Sequence, residues 1–364
     1  MLLKRYKNIE EEGLQRAWKS FENSGAMVSP FLYYDYMKWI FNGGFLNNRG
    51  YKPFVECVEN EAGEILAIFP MKKKFLFGTK IKMLGDMQGC GCAGGIFSPK
   101  LSDSEKEKCI RLFFKTLFER GNVRLSRIRE DSLGYRYMKK IFEQVPRLKK
   151  QACVTIEFGD DYEAYLKSLS SSVRQNLRTA DNRMRRDGHE WKLRVFLPGE
   201  KIDDESFKQI MKLYLARLFG HYRQNLGANR LRRMKNSYFY NHIKHDTLSL
   251  RNSTNACHFI LYIDGQPACF MSGFADHKGK KIVVPRLAID ESRRFYSPGY
   301  VMIRDAVRYL MENTDFRTLD LSRGSEKYKL DLGGKIYETI SMELKKPMKV
   351  GTPNNQGQEQ ACLQ

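Results

Sequence analysis

Apolar residues along this chain recur at two spacings, every second position in some stretches and every three to four in others, and the switches between them mark its elements. Residues 9–25 place Leu14, Trp18 and Phe21 on one helical face. Ser29-Pro30 opens a second helix, predicted to run to about residue 41 and to stop at Gly43-Gly44. Strands are expected over residues 53–58, 65–74 and 80–84, the first two joined across residues 61–64. A glycine-rich loop follows, and Ser102 or Asp103 then caps a helix carrying Ile110, Phe113, Phe114, Leu117 and Phe118. The first half closes with a strand at 123–128, a helix at 133–144 and a strand at 152–158.

After Gly159 the same order returns. A basic helical segment (160–188) leads to a strand at 192–197, a helix at 204–217 and a polar helical stretch to His245. The clearest run is 261–334. Asp264-Gly265 between two apolar runs predicts a hairpin, because both central residues of its turn must accept positive φ. A strand at 281–289 leads to Ser297-Pro298-Gly299, where the period becomes 3.6, with Tyr300, Ile303, Val307 and Leu310 on one face. Ser at the N-cap and Pro at the first helical position mark this helix start. A buried strand at 318–322 ends in an Arg323-Gly324 turn, and a last strand is expected at 336–344. The halves share an order of elements without evident residue identity.

A length of 364 residues and a 42% apolar fraction fit two units, expected at residues 1–158 and 159–345. The Gly-, Asn- and Gln-rich tail, 346–364, is expected to be disordered. No window has the roughly 18–20 uninterrupted apolar residues of a membrane span. The opening MLLKRYKNIEEEG does not read as a secretory signal, so a cytoplasmic location is expected, with the inner membrane face as a peripheral option. Five of the eight cysteines lie in apolar runs, Cys90 and Cys92 are too close for a usual zinc knuckle, and His242 and His245 have no third ligand nearby in sequence. No metal is expected. The formal charge is +21, and between Ala164 and Lys235 seventeen Lys or Arg stand against seven Asp or Glu. Such a field attracts nucleic acid, an anionic membrane or a phosphorylated small molecule, and it also suits a plain soluble surface.

Several stretches together resemble a known family. YEAYLKSLSSSVRQNLRTADNRMRRDG, LYIDGQPA, YSPGYVMIRDAV and LDLSRGSEKYKLDLGG follow one another in the order found in the CelD/BcsL group of GNAT-related acetyltransferases, which are associated with cellulose and other envelope polysaccharides. SPFLYYDYM and VECVENEAGEILAIFPM extend the likeness into the first half, to residues 27–344, and the tandem arrangement also resembles the more distant Fem-type aminoacyl-tRNA-dependent transferases. One departure is the loop at 89–95, where the family has a more polar stretch. The resemblance implies an α/β fold of two tandem GNAT-like domains, each a mixed central sheet flanked by helices. It further implies acyl transfer from acyl-CoA to an amine or hydroxyl of an amino sugar or envelope polysaccharide precursor, soluble or lipid-linked. The Fem-like reading would make tRNA a partner instead, and a non-catalytic anion-binding module is the third alternative.

Three groups of residues are candidates for that chemistry. The N–H groups of Gly299, Tyr300 and Val301, with Ser297, form a helix start able to hold phosphates, and the resemblance places the CoA pyrophosphate there with the pantetheine arm along 281–289. The plain alternative is an ordinary N-cap. Asp320, Arg323, Glu326, Tyr328 and Lys329 cluster at the end of the 318–322 strand. A carboxylate inside an apolar strand needs a partner, and Arg323 or Lys329 is expected to supply it. Asp320 would then serve as base or orient the acceptor, with Tyr328 returning a proton to the leaving thiolate, or Asp320 and Arg323 would simply close the turn. Finally, Arg174, Arg178 and Arg185 fall near one face of the basic helix, next to Arg186, and suit bidentate phosphate contact, with a solvated face as the commoner, plain alternative. His221 and His258 are possible bases, though a histidine among apolar residues is more often a satisfied core residue.

Overall fold

A computed structural model of the chain describes residues 1–24, 29–44, 50–74, 80–84, 95–120, 122–142, 148–225, 251 and 253–345. Its first half runs β1 (Leu2–Tyr6), α1 (Glu12–Asn23), a 3-10 turn (Pro30–Leu32), α2 (Tyr34–Trp39) and a π-turn (Ile40–Gly44), then β2 (Tyr51–Glu59), β3 (Ile65–Lys74), β4 (Lys80–Met83) and β5 (Ile96–Phe97). It closes with α3 (Asp103–Arg120), β6 (Val123–Arg129), α4 (Leu133–Phe142) and β7 (Leu148–Glu157). Two helices, α5 (Tyr162–Ser168) and α6 (Ser171–Arg186), join it to the second half. There β8 (Trp191–Phe196), α7 (Asp204–Asn225), β9 (Ala256–Ile263), β10 (Gln266–Asp276) and β11 (Lys281–Ile289) lead to α8 (Pro298–Asn313), β12 (Thr318–Arg323), α9 (Lys327–Asp331) and β13 (Gly334–Leu344). The order of elements repeats between the halves, which makes the fold two tandem GNAT-like α/β units.

The second predicted helix forms in three pieces, the last a π-turn that ends at Gly44, where the stop is expected. Ser29 does accept a hydrogen bond from the Phe31 N–H, but the chain takes a 3-10 turn and then a six-residue α-helix. The Asp264-Gly265 turn forms as anticipated, with φ of 50° and 71°. The predicted tail, the loop at 89–94, Cys90, Cys92, His242 and His245 lie outside the described residues.

The strands join into one sheet in the order β1-β2-β3-β4-β6-β13-β7-β12-β11-β10-β9-β8, with β5 beside β3. Its centre shows an exchange that residue patterning cannot reveal. The last strand of the chain, β13, lies between β6 and β7, antiparallel to both, while β7 lies between β13 and β12. Each half therefore places its closing strand inside the other. The hydrogen-bonded ladder runs without a break across residue 158, where the boundary between two units is expected.

In the second half, alternation along the strands sorts the core. Ile260, Phe270 and Ala288 face α7 through Phe207, Ile210 and Leu213. Phe259, Leu261 and Met271 face α6 and α8 through Val173, Leu177, Ile303 and Val307. Arg304 ties α6 to α8 by donating to both carboxylate oxygens of Asp181, at 2.9 and 2.8 Å.

Candidate active site

Strands β11 and β12 run parallel and pair only at Lys281–Thr318, Ile282–Leu319 and Val283–Asp320. Beyond that point β11 continues to Ile289 beside β10, while β12 continues to Arg323 beside β7, so the two part into a fork. A bulge in β11, where Val284 and Pro285 stand opposite Gly273 of β10, accompanies the divergence. Gly273 at that bulge has no room for a side chain, because a Cβ there would sit 2.2 Å from the Val283 carbonyl oxygen. A GNAT-like fold thus acquires an open, unpaired length of strand edge with polar backbone pointing into it.

Asp320 stands at the branch point and is almost wholly buried. Its partner is neither Arg323 nor Lys329. The Tyr337 hydroxyl on β13 donates to both carboxylate oxygens, at 2.9 and 2.7 Å, the Ser322 N–H donates at 2.8 Å, and Arg129 of β6 approaches to 3.3 Å. The sequence-based pairing fails because β7 and β13 bring residues from other parts of the chain nearer than the turn's own side chains. Burial, which penalises the charged form, raises the Asp320 carboxyl above its ordinary range against the pull of Tyr337. Burial also raises Tyr337 far above an ordinary phenol. Arg129 stacks on the Tyr337 ring, 4.1 Å from its centroid, and donates to Asp131 as well.

Lys329 does something else. Its buried ammonium donates to the carbonyls of Leu321, Arg323 and Gly324 at 3.1, 2.6 and 3.2 Å and pairs with Glu326 at 2.9 Å. These bonds hold the turn in which Ser322 and Gly324 take φ of 54° and 93°. Arg323 itself is exposed.

Tyr328 is half-buried at the mouth of the fork, its ring centroid 6.2 Å from that of Tyr300 in the first turn of α8. Burial, with the neighbouring Glu326, pushes its phenol up to about 12, so it stays protonated at physiological pH. Arg217 of α7, not singled out by the sequence, also reaches this place. Its guanidinium donates to the Leu287 carbonyl on β11 and interacts electrostatically with Glu326 and Tyr328. Neither Arg217 nor Arg129 nor Tyr337 carries a local signal, because each becomes relevant only through strand and helix placement.

The helix start at Ser297 differs from a standard cap. Ser297 is left-handed, with φ 51° and ψ 49°, and its hydroxyl makes no capping bond, because a preceding 3-10 turn (Glu291–Tyr296) delivers the chain from the wrong side. Its carbonyl instead accepts from Tyr300 and Val301, at 3.0 and 3.2 Å. Of the three predicted N–H donors, only that of Gly299 is left without an acceptor among the described residues. A Cβ at Gly299 would meet Ile289 Cγ2 at 3.6 Å, an ordinary contact, so packing alone does not require glycine.

Arg174, Arg178 and Arg185 line a common groove of about 610 Å³ between α6, α8 and β8, together with Tyr162, Trp191 and Arg308. Arg174 also caps the carbonyls of Lys167 and Leu169. The groove is not at the fork, since none of its lining residues lies on β11 or β12. His258 is a core residue, bonded to Ser272 Oγ at 2.9 Å and pushed down to about 4 by burial; the His221 side chain lies outside the described residues. Among the described residues no group of three His, Cys, Asp or Glu is arranged to hold a metal, and no helix is long and apolar enough to cross a membrane.

Residues 171–330 match the family described as Acetyltransferase (GNAT) domain. The match spans α6 to α9 and so contains β11 and β12, the first turn of α8 and the arginines of the groove. Among solved structures, the C-terminal domain (DUF2156) of a putative lysylphosphatidylglycerol synthetase from Agrobacterium fabrum is similar at 11% identity, with 91% of each chain covered and a TM-score of 0.52. FemX is similar at 11% identity over 81% of this chain and 89% of its own, with a TM-score of 0.51. At such identity the likeness is one of fold. No curated protein matches the chain significantly.

Proposed function

We propose that the chain is an acyltransferase that moves an acyl group from acyl-CoA to an amine of an amino sugar or envelope polysaccharide precursor. The observation that carries this reading is the fork: β11 and β12 part after Val283–Asp320, opposite a helix start with a free Gly299 N–H. The unpaired edge of β11 suits the amide groups of a pantetheine arm, and the Gly299 N–H with Arg217 suits its phosphates. When bound, the donor supplies the thioester, whose carbonyl the acceptor amine attacks. Tyr328, protonated and at the mouth of the fork, is the group we assign to give a proton to the departing sulfur, and the proton lost by the attacking amine then restores its phenol. Asp320, with both oxygens engaged by Tyr337, Ser322 and Arg129, acts as a positioning residue that fixes the branch point. Lys329 and Glu326 fix the turn beyond it.

The arginine groove, with Trp191 and Tyr162 on its walls, gives the second reading its support: transfer from an aminoacyl-tRNA, as in Fem-type enzymes. The test is a thermal-shift and turnover screen of acetyl- and longer acyl-CoAs against a panel of amino sugars, with aminoacyl-tRNA in parallel. A saturable shift with acyl-CoA but not with ADP or polyphosphate supports the first reading. Activity that needs intact RNA replaces it with the second.

A further inference from the structure

The first half contains a cavity that the transfer reaction does not use. It measures about 540 Å³ and is lined by Leu3, Arg5, Glu56, Lys73, Ile81 and Arg120, from β1, β2, β3, β4 and the end of α3. Between it and the fork lie β6, β13, β7 and β12, so the two are separate sites. Glu56 is buried to 1% exposure at the cavity wall. Its Oε1 accepts from Arg5 Nε and Nη2, at 3.2 and 2.5 Å, and from Arg120 Nη1 at 2.5 Å. Its Oε2 is buried and, among the described residues, has no hydrogen-bond partner. A carboxylate oxygen in that position calls for a donor from whatever occupies the space. The volume is many times the roughly 30 Å³ share of one water and falls within the range of small-molecule pockets.

Charge narrows the class of occupant. Three cationic side chains face one carboxylate, a net of two positive charges, so the occupant must be anionic as well as a donor. Each guanidinium retains N–H groups beyond those bonded to Glu56, in the planar fork that fits phosphate. Arg5 is held in place by the Phe54 ring, 4.4 Å from its centroid, while Leu3 and Ile81 form an apolar wall. We propose that this cavity binds a phosphate monoester of a polyol, a sugar phosphate or glycerol phosphate, with the phosphoryl group on Arg5 and Arg120 and a hydroxyl donating to Glu56 Oε2.

The full chain is titrated calorimetrically with glycerol 3-phosphate, glucose 6-phosphate, inorganic phosphate, glycerol and serine. At least one of the two esters is expected to bind about tenfold or more tightly than inorganic phosphate, a difference of about 1.4 kcal/mol, and glycerol not at all. Arg120→Gln should weaken both esters and inorganic phosphate, whereas Glu56→Gln should erase the preference for the ester and leave phosphate binding in place. Equal affinity for ester and inorganic phosphate, or no saturable binding, overturns the proposal, as does serine binding better than either ester. Should Glu56→Gln fail to fold, the wild-type ranking and Arg120→Gln still decide, and Tyr328→Phe serves as the control, since it alters the fork without touching this cavity.

Discussion

The Tyr337 hydroxyl donates to both carboxylate oxygens of Asp320, at 2.9 and 2.7 Å, across the two strands that the halves exchange. Asp320 closes the paired part of β11 and β12, and Tyr337 belongs to the last strand of the chain. The branch point of the proposed site is therefore fixed by the same β13 that completes the first half's sheet. Tyr337→Phe leaves a buried carboxylate without its main donor and is expected to cost about 1–3 kcal/mol, read from urea unfolding. A change below a few tenths would mean that Arg129 and Ser322 suffice.

The raised Asp320 pKa gives this site a pH signature with a definite sign. The folded chain binds the Asp320 proton more tightly than the unfolded chain does. Its contribution to stability is therefore greatest at low pH and declines as pH rises from the ordinary value of 3.8 toward the raised folded value. Asp320→Asn removes that slope. Compared by denaturant unfolding, wild type should gain relative to the variant on going from pH 7 down to about pH 4.

Tyr328→Phe tests the proton donor. Loss of a general acid lowers kcat by roughly 10²–10⁴ with little change in donor KM. Because the Tyr328 phenol is pushed up to about 12, its ionisation should not limit the rate of wild type between pH 6 and 9, and a basic limb in that range would have to come from another group.

Gly299→Ala separates packing from ligand contact. A Cβ meets only Ile289 at an ordinary distance, and alanine favours a helix, so stability should hold or rise slightly, by up to about 1 kcal/mol. The donor KM should nevertheless increase if a phosphate approaches that backbone. Gly273→Ala is the contrasting case, because the Val283 carbonyl blocks its Cβ; a loss of about 1–3 kcal/mol is expected from melting curves.

Strand exchange predicts interdependent halves. Fragment 1–158 lacks the strand between β6 and β7, and fragment 159–345 lacks the strand between β12 and β13. Each alone exposes unpaired edges and should fail to give a cooperative thermal transition, whereas co-expression should restore one. Independent two-state folding of either fragment, followed by circular dichroism, would show that the exchange is not needed for stability.

Much of this fold can be read in the residues. The apolar run at 65–74, the Asp264-Gly265 turn and the 3.6-residue period after Ser297 are local, and the elements they specify form where expected because local geometry is enough to choose them. The repeat of elements follows from the same local signals. The arginine face of α6 was visible for this reason too, since 174, 178 and 185 are set by helical spacing alone, and all three line one groove.

Local residue pattern thus sets the kind and order of elements, the tandem repeat, and Asp320 as a costly carboxylate in a buried strand. Which group answers that carboxylate was decided only in three dimensions. Arg129 stands 191 residues from Asp320, Glu56 meets Arg120 across 64 residues, and β13 enters the opposite half. Spacing rules reach one turn of helix or one step of strand. A buried charge is satisfied by whatever the folded chain brings within about 3 Å, and strand order in the sheet sets that neighbour.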